Sequence, residues 1–93
     1  DLITVNAGNN TANGGDDNDV ITLSGAGNSI LNGDAGNDTF VITASGLLTS
    51  ADSINGGIGD DTIRATTGAA YVDAQFTNVT SVEVLESSGA SAN

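Results

Sequence analysis

The stretch NGDAGNDTF at residues 32–40 sets two aspartates, Asp34 and Asp38, among the small residues Gly33, Ala35 and Gly36, then turns abruptly to a threonine and Phe40. A mobile linker has no use for the phenylalanine, and a packed strand has little use for the glycines. Aligning this stretch with its neighbours gives a nine-residue frame in which position 4 is usually Gly, position 6 is often Asp and position 8 is apolar. Six units fit it: VNAGNNTAN (5–13), GGDDNDVIT (14–22), SGAGNSILN (24–32), GDAGNDTFV (33–41), LLTSADSIN (47–55) and GGIGDDTIR (56–64). Only Leu23 and the five residues ITASG (42–46) interrupt that run. An acidic disordered segment has no reason to keep such a register.

Composition says what must hold so small a fold together. The 93 residues make one small domain at most, with two Phe, one Tyr and neither Trp nor Met to fill a core. Cys and His are both absent, which excludes disulfides and the usual zinc sites. Oxygen ligands are in excess: twelve Asp plus Glu stand against one basic residue, Arg64, for a formal charge of −11. Hard cations are the natural partners of such a chain.

The same balance removes several functions. Nucleic-acid binding needs clustered Lys and Arg, and a Walker-type phosphate loop needs its Lys. Serine or cysteine hydrolase chemistry wants a His-type base. No apolar run approaches membrane-spanning length, no signal-peptide pattern opens the chain, and without an initiator Met it reads as a piece of a longer protein.

The units resemble the RTX (repeats-in-toxin) nonapeptide G-G-x-G-x-D-x-U-x, where U is a large apolar residue. GGIGDDTIR matches at every defined position; GDAGNDTFV departs by Asp34 at position 2, and GGDDNDVIT carries Asp17 where the fourth-position Gly belongs. The resemblance covers about two thirds of the chain. It implies an all-β fold, a right-handed parallel β-roll or β-solenoid, in which six residues of each unit turn and three form a short strand with U inward. Gly at the turn positions allows positive φ, and one apolar residue between polar ones suits a short, half-buried strand. The inward column is then Ile3, Ala12, Ile21, Leu31, Phe40, Ile54 and Ile63.

Two nonamers make one coil of such a roll, so alternate units share an edge. Position 6 reads Asp19, Asp38 and Asp61 on one edge, with spacings of 19 and 23 that equal eighteen plus Leu23 and eighteen plus the ITASG insertion. The opening residues DLIT fit as positions 6–9 of a preceding unit, adding Asp1 to that row. The other edge holds Asn10, Ser29 and Asp52. Aspartates stacked about 4.8 Å apart repel by about 3 kcal/mol per pair at an effective dielectric near 20. Calcium between them reverses that sign, and the resemblance implies ions held by position-6 carboxylates and glycine-turn carbonyls of successive same-side units. The expected metal residues are Asp1, Asp19, Asp38 and Asp61 with the turn residues Gly14, Gly15, Asp17, Gly33, Gly36, Gly56, Gly57 and Gly59, and the expected cofactor is calcium. Asp16, Asp34 and Asp60 deepen the negative field of the same turns.

Other residues have plainer readings. Asn10 and Ser29 read as side chains closing their turns without metal. Asp52, in a unit without glycine, reads as a solvated turn residue, and Arg64 as a local counter-charge to Asp60 and Asp61. The sequons at Asn9, Asn37 and Asn78 carry no weight in a bacterial-looking repeat. After residues 1–64, the roll proper, residues 65–93 read as a degenerate coil, closing strands and a flexible tail. ATTGAAYVD (65–73) continues one coil with Gly68, Ala70 and Val72 at positions 4, 6 and 8, and FTNVTSVEVLESS (76–88) alternates apolar and polar residues through Val79, Val82 and Val84. Open ends of such folds need covering.

The leading expectation is a calcium-stabilised structural segment of a large secreted or cell-surface bacterial protein, such as a surface layer, adhesin or extracellular fibre. The resemblance further implies type I export unfolded, folding on calcium outside, and room for self-assembly with identical chains or other cell-surface components. An alternative is the folding and secretion module of an RTX toxin, protease or lipase, whose HExxH or GxSxG motif would lie upstream. Catalysis within this chain is the weaker reading, because the repeat accounts for the aspartates and substrate-gripping aromatic and basic residues are scarce. An ice-binding face would want a regular outward Thr ladder, which positions 3 and 5 lack.

Overall fold

In a computed structural model, which describes residues 1–66 and 76–87, short strands alternate between two parallel sheets. The first holds β1 (Leu2–Val5), β3 (Val20–Leu23), β5 (Thr39–Ile42), β7 (Thr62–Ala65) and β9 (Val84–Ser87) in that order. The second holds β2 (Thr11–Asn13), β4 (Ile30–Asn32), β6 (Ser53–Asn55) and β8 (Val79–Thr80). Each strand pairs with the next but one in sequence, so the chain winds as a β-solenoid with two units per coil. One 3₁₀ turn, at Ser45–Leu47, interrupts the alternation of strands.

The registers bear out the alternate-unit reading. Ile3, Ile21, Phe40 and Ile63 align across the first sheet, and Ala12, Leu31 and Ile54 across the second. These residues face one another inside the roll and are buried, except Ile3, which is half-buried on the first coil. Each such branched or aromatic side chain withdrawn from water is worth about 1.5–3 kcal/mol.

The first sheet carries a second inward column that the nine-residue frame did not hold. Its strands run one residue longer, and by period-2 alternation Val5, Leu23, Ile42 and Ala65 also point inward and are buried. Leu23 and Ile42, which stood outside the frame, are therefore core. The rest of the insertion leads into the 3₁₀ turn, and Leu48 beyond it is fully buried in the core cluster.

Polar ladders stack the coils from outside. The Asn37 amide N–H donates to Asn18 Oδ1 at 2.7 Å and the Asp60 N–H to Asn37 Oδ1 at 2.9 Å, while Asn32 Nδ2 donates to Asn13 Oδ1 at 2.8 Å. Arg64 does not serve Asp60 or Asp61: as an outward strand residue it lies beside its β9 register partner, and its Nε donates to Glu86 Oε1 at 3.1 Å.

Two further strands, β8 and β9, follow β7 among the described residues. The strand stacked on β6 is β8, with Ile54 opposite Val79. Of the coil read at residues 65–73, Ala65 ends β7, while residues 67–73, with Gly68, Ala70 and Val72, and the tail from residue 88 lie outside the described residues.

Candidate metal centre

Every position-6 residue sits immediately before a strand, so the strand registers set it in a row. Asp1, Asp19, Asp38 and Asp61 precede β1, β3, β5 and β7, whereas Asn10, Ser29 and Asp52 precede β2, β4 and β6. Parallel pairing stacks each set along one edge of the solenoid.

On the aspartate edge each carboxylate divides its labour. One oxygen accepts a backbone N–H from the coil before: Asp38 Oδ1 from Asp19 at 2.8 Å, and Asp61 Oδ1 from Asp38 at 2.8 Å. The backbone nitrogen of Asp1 likewise donates to Asp19 Oδ1. The other oxygen, Oδ2 of Asp19, Asp38 and Asp61, is buried without a hydrogen-bond partner, in residues no more than 1% exposed. A buried carboxylate oxygen left in that state is costly. Asp1 differs, with its side chain 76% exposed.

The glycine turns shape the space these oxygens face. A Cβ on Gly33 would lie 2.3 Å from Asp38 Oδ2 and 2.6 Å from the Gly56 carbonyl oxygen; one on Gly14 would lie 2.6 Å from Asp19 Oδ2 and 2.9 Å from the Gly33 carbonyl. Each first-position glycine thus lies beneath a carboxylate oxygen of its own turn and a carbonyl of the next coil. Gly36 needs its glycine for another reason, φ +118°, with a Cβ that would meet the Asp17 carbonyl at 2.1 Å. At the same two turn positions Asp34 (φ 71°) and Asp17 (φ 76°) hold the left-handed conformation that Gly15, Gly57 and Gly59 hold elsewhere, which Asp tolerates better than most residues. This explains both departures from the repeat.

Burial pushes the Asp38 carboxyl above its ordinary range, and the charges of Asp61 and Asp19 push the same way; the Asp19 N–H it accepts works against them. A cation against Oδ2 would relieve both upward pressures. No three His, Cys, Asp or Glu side chains converge among the described residues. A centre here would draw on paired carboxylates and backbone carbonyls, a donor set that suits calcium.

The opposite edge is closed by protein atoms. Asn10 Nδ2 donates to the carbonyls of Asn6, Ala7 and Gly8 at 3.0, 3.5 and 3.4 Å, an amide standing among the turn carbonyls as a cation would. Asp52 is buried rather than solvated: its Oδ1 accepts the Ser29 N–H at 2.6 Å and its Oδ2 the Thr49 N–H at 2.9 Å. A unit without glycine thus closes its own turn, the carboxylate spent on local donors. Ser29 does not close its turn as expected: its Oγ is the remaining buried side-chain polar atom without a partner among the described residues, and a single hydroxyl is a poor cation site.

A parallel solenoid with a row of buried, half-satisfied carboxylates over glycine turns is a structural calcium-binding architecture. The chain matches the family described as RTX calcium-binding nonapeptide repeat (4 copies) over residues 1–25, 23–41 and 48–71, and it belongs to that family. No curated protein and no solved structure matches the chain.

The cradle gives a prediction of its own. Gly33→Ala should press a methyl group against Asp38 Oδ2 and the Gly56 carbonyl, weakening calcium uptake at least tenfold by calorimetric titration, while Gly46→Ala, with nothing within 4 Å of its Cβ, should match the parent.

Proposed function

We propose that the chain is a calcium-stabilised structural segment of a large secreted or cell-surface protein, of surface-layer, adhesin or fibre type, which folds on calcium after export. The observation that carries this reading is the set of buried, unpartnered Oδ2 atoms on Asp19, Asp38 and Asp61, each sharing the space beside a first-position glycine with a carbonyl of the next coil. Ions there would take these carboxylates with the turn carbonyls around Gly14, Gly33 and Gly56. Gly15, Asp17, Gly36, Gly57 and Gly59 keep the turns in the conformation that lets the coils stack so closely.

A structural role agrees with how the polar groups are used. Asn and Asp side chains are spent on coil-to-coil hydrogen bonds, and the inward positions are apolar. The net charge of −11 suits a chain that stays open where calcium is scarce and closes where it is abundant.

Equilibrium dialysis tests the reading. The chain should take up calcium saturably at roughly 10⁻⁴–10⁻³ M, the range of extracellular modules. A tenfold excess of magnesium should displace little of it, because magnesium holds its water and demands a stricter octahedron. No saturable uptake up to about 10 mM calcium would overturn the proposal.

A further inference from the structure

The row of carboxylates does not stop where the nonapeptides stop. β9 pairs with β7 so that Val84 stands opposite Thr62, which puts Glu83 in the row after Asp61, as Asp61 follows Asp38. Its hydrogen bond is also the same. The Asp61 N–H donates to Glu83 Oε1 at 2.8 Å, matching the 2.8 Å bond from Asp38 N–H to Asp61 Oδ1. The matched repeats end at residue 71, so Glu83 lies beyond them.

Ser81 takes the part of the first-position glycine. The Gly56 N–H donates to the Thr80 carbonyl, as the Gly33 N–H donates to the carbonyl of Asn55, so Ser81 follows where Gly56 stands one coil earlier. Its φ of 55° is left-handed, unlike that of Gly14, Gly33 and Gly56, so the match lies in the position of its carbonyl and not in its backbone conformation. A Cβ on Gly56 would lie 2.1 Å from the Ser81 carbonyl oxygen and 2.5 Å from Asp61 Oδ2. That is the same pairing of next-coil carbonyl and orphaned oxygen found over Gly33 and Gly14. Asp61 is fully buried and its Oδ2 has no partner.

We propose that Asp61 Oδ2, the Ser81 carbonyl and the Glu83 carboxylate form a terminal calcium site that no nonapeptide specifies. The proposal rests on the calcium reading of the row. From Ser81 to Glu83 is two residues, whereas Gly33 to Asp38 and Gly56 to Asp61 are five, so this turn is three residues shorter. The extra methylene of glutamate restores part of the reach the short turn lost. Fewer carbonyls remain to offer, and the Glu83 side chain is exposed, so this ion keeps more water and binds more weakly than those inside the row. It closes the acidic row at the end where repeats give way to β8 and β9.

Calcium stoichiometry by native mass spectrometry on the parent chain, Glu83→Gln and Asp61→Asn tests the site, with circular dichroism in calcium as the check on folding. Glu83→Gln keeps a carbonyl acceptor for the Asp61 N–H and removes only the charge. If Glu83 merely caps the row, the ion count is unchanged, and the proposal is overturned. The expected result is one ion fewer for Glu83→Gln and two fewer for Asp61→Asn, which borders both the Asp38 and the Glu83 gaps. If Glu83→Gln does not fold, Asp61→Asn decides: two ions lost supports the terminal site, and one lost overturns it. A parent chain that binds no calcium would overturn the reading of the whole row, whereas a parent that binds and a Glu83→Gln that matches it would overturn the terminal site alone.

Discussion

Asp38→Ala should remove two calcium ions from the chain and break its folding transition into weaker parts. Asp38 lies between Asp19 and Asp61, accepting the N–H of one and donating its own N–H to the other. Its Oδ1 is turned to the coil before and its unpartnered Oδ2 shares space with a carbonyl of the coil after, so ions in the Asp19–Asp38 and Asp38–Asp61 gaps would both draw on its carboxylate. Truncation also strands the buried N–H of Asp19, which costs about 1–3 kcal/mol apart from any metal. The matched controls sit on the opposite edge. Ser29→Ala deletes a hydroxyl that has no partner, and Asn10→Ala deletes amide contacts to its own turn, so each should keep the full ion count and cost at most about 1 kcal/mol. Equal ion loss from Ser29→Ala and Asp38→Ala would mean that the two edges had been exchanged.

Removing calcium from the intact chain should have the larger effect on structure. Four aspartates and Glu83 share one edge, and neighbouring charges at coil spacing repel by about 3 kcal/mol per pair at an effective dielectric near 20. Small domains rarely hold more than a few kcal/mol in reserve, so several uncompensated pairs outweigh what this core supplies. In chelator the far-ultraviolet circular dichroism should be that of a largely disordered chain, and β structure should return cooperatively in roughly millimolar calcium. Retention of full β structure in chelator would show that packing alone sustains the roll.

The coil was legible in the sequence because its signals are local and repeated. Asp two residues before an apolar residue at every second unit fixed the registers, and the spacings of 19 and 23 placed Leu23 and the ITASG insertion between the correct strands. Leu23 and Ile42 were harder to place, since a nine-residue frame with one apolar position has no place for a second inward residue. Asp52 was misread because its burial depends on Thr49, three residues away in a turn that no repeat defines. Arg64 found its partner in Glu86, which becomes a neighbour only once β9 is paired. Glu83 escaped for a related reason: its turn is three residues shorter than a glycine turn, and only the register of β7 and β9 reveals its place in the row.

The most direct test of the account is a crystal structure grown in millimolar calcium, with anomalous scattering used to locate the ions. The predicted result is density along the edge of Asp19, Asp38, Asp61 and Glu83, beside the carbonyls over Gly14, Gly33 and Gly56, and none along the edge of Asn10, Ser29 and Asp52. Ions distributed equally along both edges, or absent from the gaps between Asp19, Asp38 and Asp61, would contradict it.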